Sequence, residues 1–289
     1  IGVWVSNTNS QITSSGGAVN VTGTGGGAGS SYGNYGVAVY HGGVITSAGT
    51  GVGATVTVEG DGGNTIGTGN SNYGVLVSST NAQISSSGGV VSVTGTGGGA
   101  GSSDETYGVM LNFGGVITSA ATDATVTVEG HGGNVVGTGS RNYGVYVFDT
   151  NAIITSSGGA VSVTGTGGGA GSSSNNRGVY VYSGGVITSA GTGMGATVTV
   201  EGHGGNSAGP SSYSDGVAVM GLSSQITSSG GAVNVTGAGG GAGSSTNNYG
   251  VYVDFGGVIT SDGVGATVTV EGHGGNTTGN GSYNHGVFV

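Results

Sequence analysis

Valine and isoleucine return at fixed places along this chain, and the spacing between them predicts strands throughout. The motif Gly-Val-x-Val, or a close variant, begins at Gly2, Gly36, Gly74, Gly108, Gly144, Gly178, Gly216, Gly250 and Gly286, at intervals of 34 to 38 residues. Within it, apolar residues alternate with a variable one, as in a strand with two valines on one face. A second apolar point follows in each interval, a single isoleucine ahead of a hydroxyl residue: Ile12, Ile45, Ile84, Ile117, Ile154, Ile187, Ile226 and Ile259. A third segment reads Ala-Val-Asn-Val-Thr in one kind of interval and Thr-Val-Thr-Val-Glu in the other, so that Val19 pairs with Val21 and Val56 with Val58 on one face. No segment has the period of a helix, and β-branched residues hold the apolar positions.

Three short strands per interval, each with one apolar face, cannot enclose a core alone. Stacked intervals can, because equivalent side chains then form continuous columns. The pattern predicts an all-β fold, a right-handed parallel β-helix (β-solenoid) of about eight coils of 34 to 38 residues, three strands per coil, running unbroken from 1 to 289. Two coil types alternate, and the four-coil set recurs after 142 residues. Length differences fall in turns: Ser47 to Ala54 is longer than Ser119 to Ala124, while the strands keep their length. Both ends carry the same strand motif, Gly2 to Val5 and Gly286 to Val289. The chain is therefore expected to be a window of a longer repeat array, continued either by further coils of the same polypeptide or by a second copy stacked head to tail.

Composition sharpens this picture. Glycine accounts for 74 residues, a proportion that in unperiodic chains signals disorder. Here charged residues are only 5% and the apolar positions are regular, so the disordered reading fails. The net charge is −10 and the only cations are Arg141 and Arg177, which excludes a phosphate-neutralising surface and hence nucleic acid as a partner. There is no cysteine, and no apolar run reaches the length of a membrane span, so membrane insertion is not expected.

The Gly/Ser/Thr-rich segments, such as Thr22 to Gly27 followed by Asn34-Tyr35-Gly36-Val37, resemble the β-helix repeats of large bacterial surface proteins, the filamentous-haemagglutinin-like and autotransporter-passenger-like adhesins. The resemblance covers the whole chain. It implies secretion to the cell surface or exterior, an elongated rod, and a role in attachment or matrix; it brings no catalytic residues with it.

Several columns of residues invite a chemical reading. Glu59, Glu129, Glu201 and Glu271 recur in alternate coils with Asp61, His131, His203 and His273 two residues later. Coils rise ~4.8 Å each, so pairs in alternate coils lie ~9.6 Å apart, too far to share an ion. No metal site and no cofactor are expected; Thr22, Thr94, Thr164 and Thr236 between the glutamates keep like charges from stacking. Asn34, Asn72, Asn142, Asn176, Asn248 and Asn284 precede the strand motif and are expected to form a hydrogen-bonded ladder at one turn. Tyr35, Tyr73, Tyr107, Tyr143 and Tyr249 follow most of them, with Arg177, Asp215 and His285 breaking that column.

The variable residue of the first strand is expected to face outward. It is Trp4, Leu76, Met110, Tyr146, Tyr180, Tyr252 or Phe288 in most coils, with Tyr40, Phe148 and Tyr182 beside it. Such an exposed stripe marks a contact surface. The reading adopted is lateral packing against another solenoid; a platform for sugars, or a connecting loop folded over the stripe, are the alternatives. Outward Thr55 and Thr57 form a Thr-x-Thr array of the kind found on ice-binding solenoids, but Ala18 and Asn20 interrupt it. No local cluster of carboxylates or bases breaks the repeat, so an enzyme is not expected. The functional expectation is a structural building block of an extracellular fibre, sheath or matrix, self-associating end to end and laterally. The alternative is a stalk or adhesin region that binds cell surfaces or glycans.

Overall fold

The computed structural model describes residues 1–206, 208–276 and 278–289. The first coil contributes β1 (Val3–Ser6), β2 (Gln11–Ser14) and β3 (Val19–Thr24); the second contributes β4 (Val37–Tyr40), β5 (Val44–Ser47) and β6 (Val56–Asp61). Every later coil repeats this order. First strands pair only with first strands, second with second and third with third, giving three parallel sheets of nine, eight and eight strands. The chain is thus an all-β parallel solenoid of about eight coils. Among the described residues no helix is long and apolar enough to cross a membrane.

Register is identical from coil to coil. Val3 lies beside Val37, Ile12 beside Ile45, and Val19 beside Val56, and the same pairing continues along the stack. Each coil therefore turns the two valines of its first strand, the isoleucine of its second and the two valines of its third into one interior, as with Val37, Val39, Ile45, Val56 and Val58, all fully buried. Each such side chain removed from water contributes ~1.5–3 kcal/mol, which suits a fold with so few apolar residues per coil.

The corners are closed by polar and glycine columns. The serine that ends each second strand points inward: Ser156 Oγ donates to the Ala124 carbonyl of the preceding coil at 2.9 Å and accepts the Gly159 N–H at 2.9 Å. Ser119 and Ser189 do the same with the Gly89 and Gly159 carbonyls, each at 2.8 Å. This column satisfies turn backbone that no sheet partner reaches. At the corner between third and first strands the chain passes backbone against backbone. A Cβ added to Gly165 would overlap the Gly178 carbonyl oxygen, so only glycine fits.

Candidate interaction surface on the first sheet

The first sheet carries two outward columns of large side chains. The variable residue of each first strand does face away from the core, as alternation requires, but it is not uniformly open to water. Leu76 is 1% exposed, Tyr180 7% and Met110 8%, which corrects the expectation of a continuous exposed stripe. The cause is the residue that precedes the strand motif, a tyrosine in most coils and Arg177 over Tyr180. Tyr35, Tyr73, Tyr107 and Tyr143 fold back onto the outer face of the sheet and stack on one another with ring centroids 5.1, 4.8 and 5.0 Å apart. Together with Ala38, Leu76, Met110, Tyr180 and Ala218 they form a second apolar layer outside the coil. Burial pushes the phenols of Tyr107, Tyr143 and Tyr146 above their ordinary value of 10.0.

Farther along the strands Ser78 and Asn112 stay buried, but the surface opens where aromatic residues take that place. Tyr146, Phe148, Tyr180 and Tyr182 make a square of near-parallel rings: Tyr146 to Tyr180 is 5.1 Å at 7°, Phe148 to Tyr182 is 5.9 Å at 14°, Tyr146 to Phe148 is 5.4 Å and Tyr180 to Tyr182 is 5.2 Å. Tyr182 is exposed, while Tyr146 and Phe148 are partly so. Trp4 and Phe288, in the terminal coils, are exposed; Tyr40 and Tyr252 are half-buried, and Trp4 and Tyr40 lie 6.2 Å apart. The adjoining turn adds Phe113 (55% exposed), Leu222 (80%) and Phe255 (68%), and Phe113 meets Phe148 edge to face at 6.1 Å. Those three were not anticipated. They stand one or two places beyond the strand, where coil-to-coil alignment is less regular, although Phe113-Gly114 and Phe255-Gly256 repeat the same pair four coils apart. The exposed surface is therefore a band at the far end of the first sheet and its turn, displaced from the mid-strand column.

Arg177 and Asp215 replace tyrosine in consecutive coils of the stacked column. Arg177 Nε donates to Asp215 Oδ2 at 2.8 Å, and the guanidinium carbon sits 4.3 Å from the Tyr180 ring centre. Asp215 Oδ1 accepts the Tyr249 N–H at 3.0 Å. Burial pushes the Asp215 carboxyl up, and Arg177 and the Tyr249 amide oppose that shift. The two residues that break the sequence column fill one gap between them, and Arg177 covers the ring that would otherwise face the small Ala218.

The turn asparagines stack along the same edge. Asn34 Nδ2 donates to Asn72 Oδ1 at 2.7 Å, and the N–H groups of Asn142 and Asn248 donate to Asn176 and Asn284 Oδ1 at 3.1 and 3.0 Å. Thr106 and Ser214 occupy the same place in two coils: Thr106 Oγ1 donates to Asn142 Oδ1 at 2.6 Å, and the Ser214 N–H donates to Asn248 Oδ1 at 2.9 Å. Asn72, Asn142, Asn176 and Asn248 are fully buried. A second asparagine column, Asn64, Asn134 and Asn206, holds left-handed backbone conformations after the third strand; Asn134 Nδ2 donates to the Ser103 carbonyl at 2.9 Å. Its signal in the sequence is the recurring Gly-Gly-Asn.

On the third sheet, His131 and His203 each lie 3.0 Å from the glutamate two residues earlier, Glu129 and Glu201, on an exposed face. Register places Thr94 and Thr164 on either side of Glu129, so the pairs stay separate. Among the described residues no group of three or more His, Asp or Glu side chains converges as a metal site would require.

No family model matches the chain, and no curated protein matches it. Among solved structures, a TibC-catalyzed hyper-glycosylated TibA fragment aligns over 92% of this chain and 99% of its own at 18% identity, with a TM-score of 0.15, a superposition too loose to support any functional argument.

Proposed function

We propose that this chain is a non-catalytic structural element of an extracellular or cell-surface fibre, sheath or matrix, in which rods pack side by side through the far end of the first sheet. The observation that carries the reading is the exposed band of Phe113, Tyr182, Leu222 and Phe255, which adjoins the stacked rings of the first sheet. Tyr182, stacked on Phe148 and Tyr180, and Phe113, set edge to face on Phe148, lose little conformational freedom when a partner covers them, which is the character of anchor residues at interfaces. The constant register supports axial growth as well, because a further coil of the same kind would continue all three ladders unchanged. The near absence of cations disfavours anionic partners at such a surface, and the reading places another solenoid first and glycans second.

Electron microscopy of the purified chain beside the triple variant Phe113→Ser, Tyr182→Ser, Phe255→Ser tests this. Bundled rods for the parent and single rods for the variant, both with the same circular dichroism, are expected. Single rods for the parent that adhere to immobilised glycans through the same residues would replace the fibre reading by the adhesin one.

A further inference from the structure

The corner between the second and third sheets has an alternating profile. In even coils its turn is long and carries a large apolar residue between two glycines: Gly51-Val52-Gly53, Gly193-Met194-Gly195 and Gly263-Val264-Gly265. Val52 is 90% exposed, Met194 83%, and Val264 fully so. In odd coils the turn is the short Ser-Gly-Gly, as at Gly88-Gly89 and Gly230-Gly231. These glycines press against the neighbouring long turn so closely that a Cβ on Gly88 or Gly230 would overlap the backbone of Thr50 or Thr192. The short turns of the third and seventh coils are thus sunk between long ones, and a notch opens over each of these two. One notch is bounded by Val52, Gly88, Val90 and Asp123, another by Met194, Gly230, Ala232 and Ala266.

Knobs and notches recur at multiples of the two-coil step of ~9.6 Å along a straight edge. An occupant of successive notches must carry apolar groups at that spacing on an equally rigid edge, and the knobs of this same chain meet both conditions. An extended glycan could match the period and meet Thr50, Thr122 and Asp123 in the first notch, but neither notch has a ring face for a sugar to stack on, and the second offers only Thr267 beside glycine, alanine and Met194. We propose that two copies of the chain pair through this corner, antiparallel, knob into notch. Turning one rod end for end brings even coils opposite odd ones. Val52 then enters the notch over Ala232 of the second copy, and Met194 enters the notch over Val90, with the two-fold axis repeating both contacts. In the fourth coil the knob position is Asp123, whose carboxylate stays hydrated at the rim and weakens the pairing there.

This surface lies on a different corner from the aromatic band, so the two associations are separable by mutation. Sedimentation over a concentration series reads the pairing in the aromatic triple variant, where the other surface is removed. Val52→Ser with Met194→Ser raises the dimer dissociation constant by roughly tenfold or more, and Asp123→Val lowers it, an opposite sign that loss of folding cannot mimic. The chain has no cysteine, so engineered thiols report orientation directly. A mixture of Val52→Cys and Ala232→Cys chains is expected to form the mixed disulfide in excess of either homodimer. Monomeric rods at every concentration overturn the proposal. So does crosslinking of Val52→Cys to Val90→Cys instead of Ala232→Cys, since that contact belongs to a parallel arrangement shifted by one coil.

Discussion

Arg177 and Asp215 stand one coil apart in a column otherwise held largely by tyrosine, and their side chains meet at 2.8 Å beneath the protein surface. Asp215→Ala leaves the guanidinium buried without its counter-charge and is expected to cost ~3–5 kcal/mol, measured by denaturant unfolding. Arg177→Tyr with Asp215→Tyr restores the ring stack and should recover most of that loss. A double variant as unstable as the single one would mean that the pair is needed for more than filling the column.

The buried phenols make stability depend on pH at the alkaline end. Folding raises the ionisation of Tyr73, Tyr107 and Tyr146 above 10.0, chiefly through burial. The folded state therefore holds protons that the unfolded chain gives up, so the contribution is present in full below that value and is lost progressively as pH climbs past it toward the folded values. The share of phenolate absorbance that these buried rings contribute should arrive together with loss of the β signal in circular dichroism, above about pH 10. Full phenolate formation near the ordinary value with the sheet signal intact would show that these rings are open to solvent.

Two glycines separate corner geometry from composition. Gly165→Ala forces a methyl group into the Gly178 carbonyl and is expected to cost ~1–3 kcal/mol or more. Gly193→Ala meets nothing within 4 Å and should be neutral within ~0.5 kcal/mol. Comparable melting temperatures for the two variants would rule out the backbone-on-backbone corner.

Removing the Ser156 hydroxyl leaves the Ala124 carbonyl and the Gly159 N–H without their partner inside a buried corner. Ser156→Ala should cost ~1–3 kcal/mol, and hydrogen exchange at Gly159 should quicken ahead of exchange in the neighbouring strands. Unchanged protection at Gly159 would show that water replaces the hydroxyl there.

Strand positions were legible because every Val and Ile column obeys alternation within a coil and repetition between coils. The columns of Val37, Ile45 and Val56 needed no information beyond their spacing. The outer layer was less legible. Alternation says on which side of the sheet Leu76 and Met110 lie, but not whether Tyr73 and Tyr107, several residues upstream, fold back over them. The signal was present as two apolar columns at neighbouring places on one edge, which water would disfavour unless they covered each other. Arg177 and Asp215 look like interruptions in a linear reading. Only the coil-to-coil register makes them neighbours, and opposite charges at one position of consecutive coils are the trace that register leaves in the sequence.

Alternation of Thr with Glu along the third sheet limits how such an array can change its length. Register sets Glu59 beside Thr94 and Glu129 beside Thr164. Excision of a single coil, such as residues 74 to 107, would bring Glu59 and Glu129 onto neighbouring strands ~4.8 Å apart, and would also set one long turn directly upon another. Excision or duplication of two coils preserves both the Glu/Thr alternation and the alternation of long and short turns. A change in length by an even number of coils therefore avoids both conflicts, and the four-coil recurrence after 142 residues is one such step.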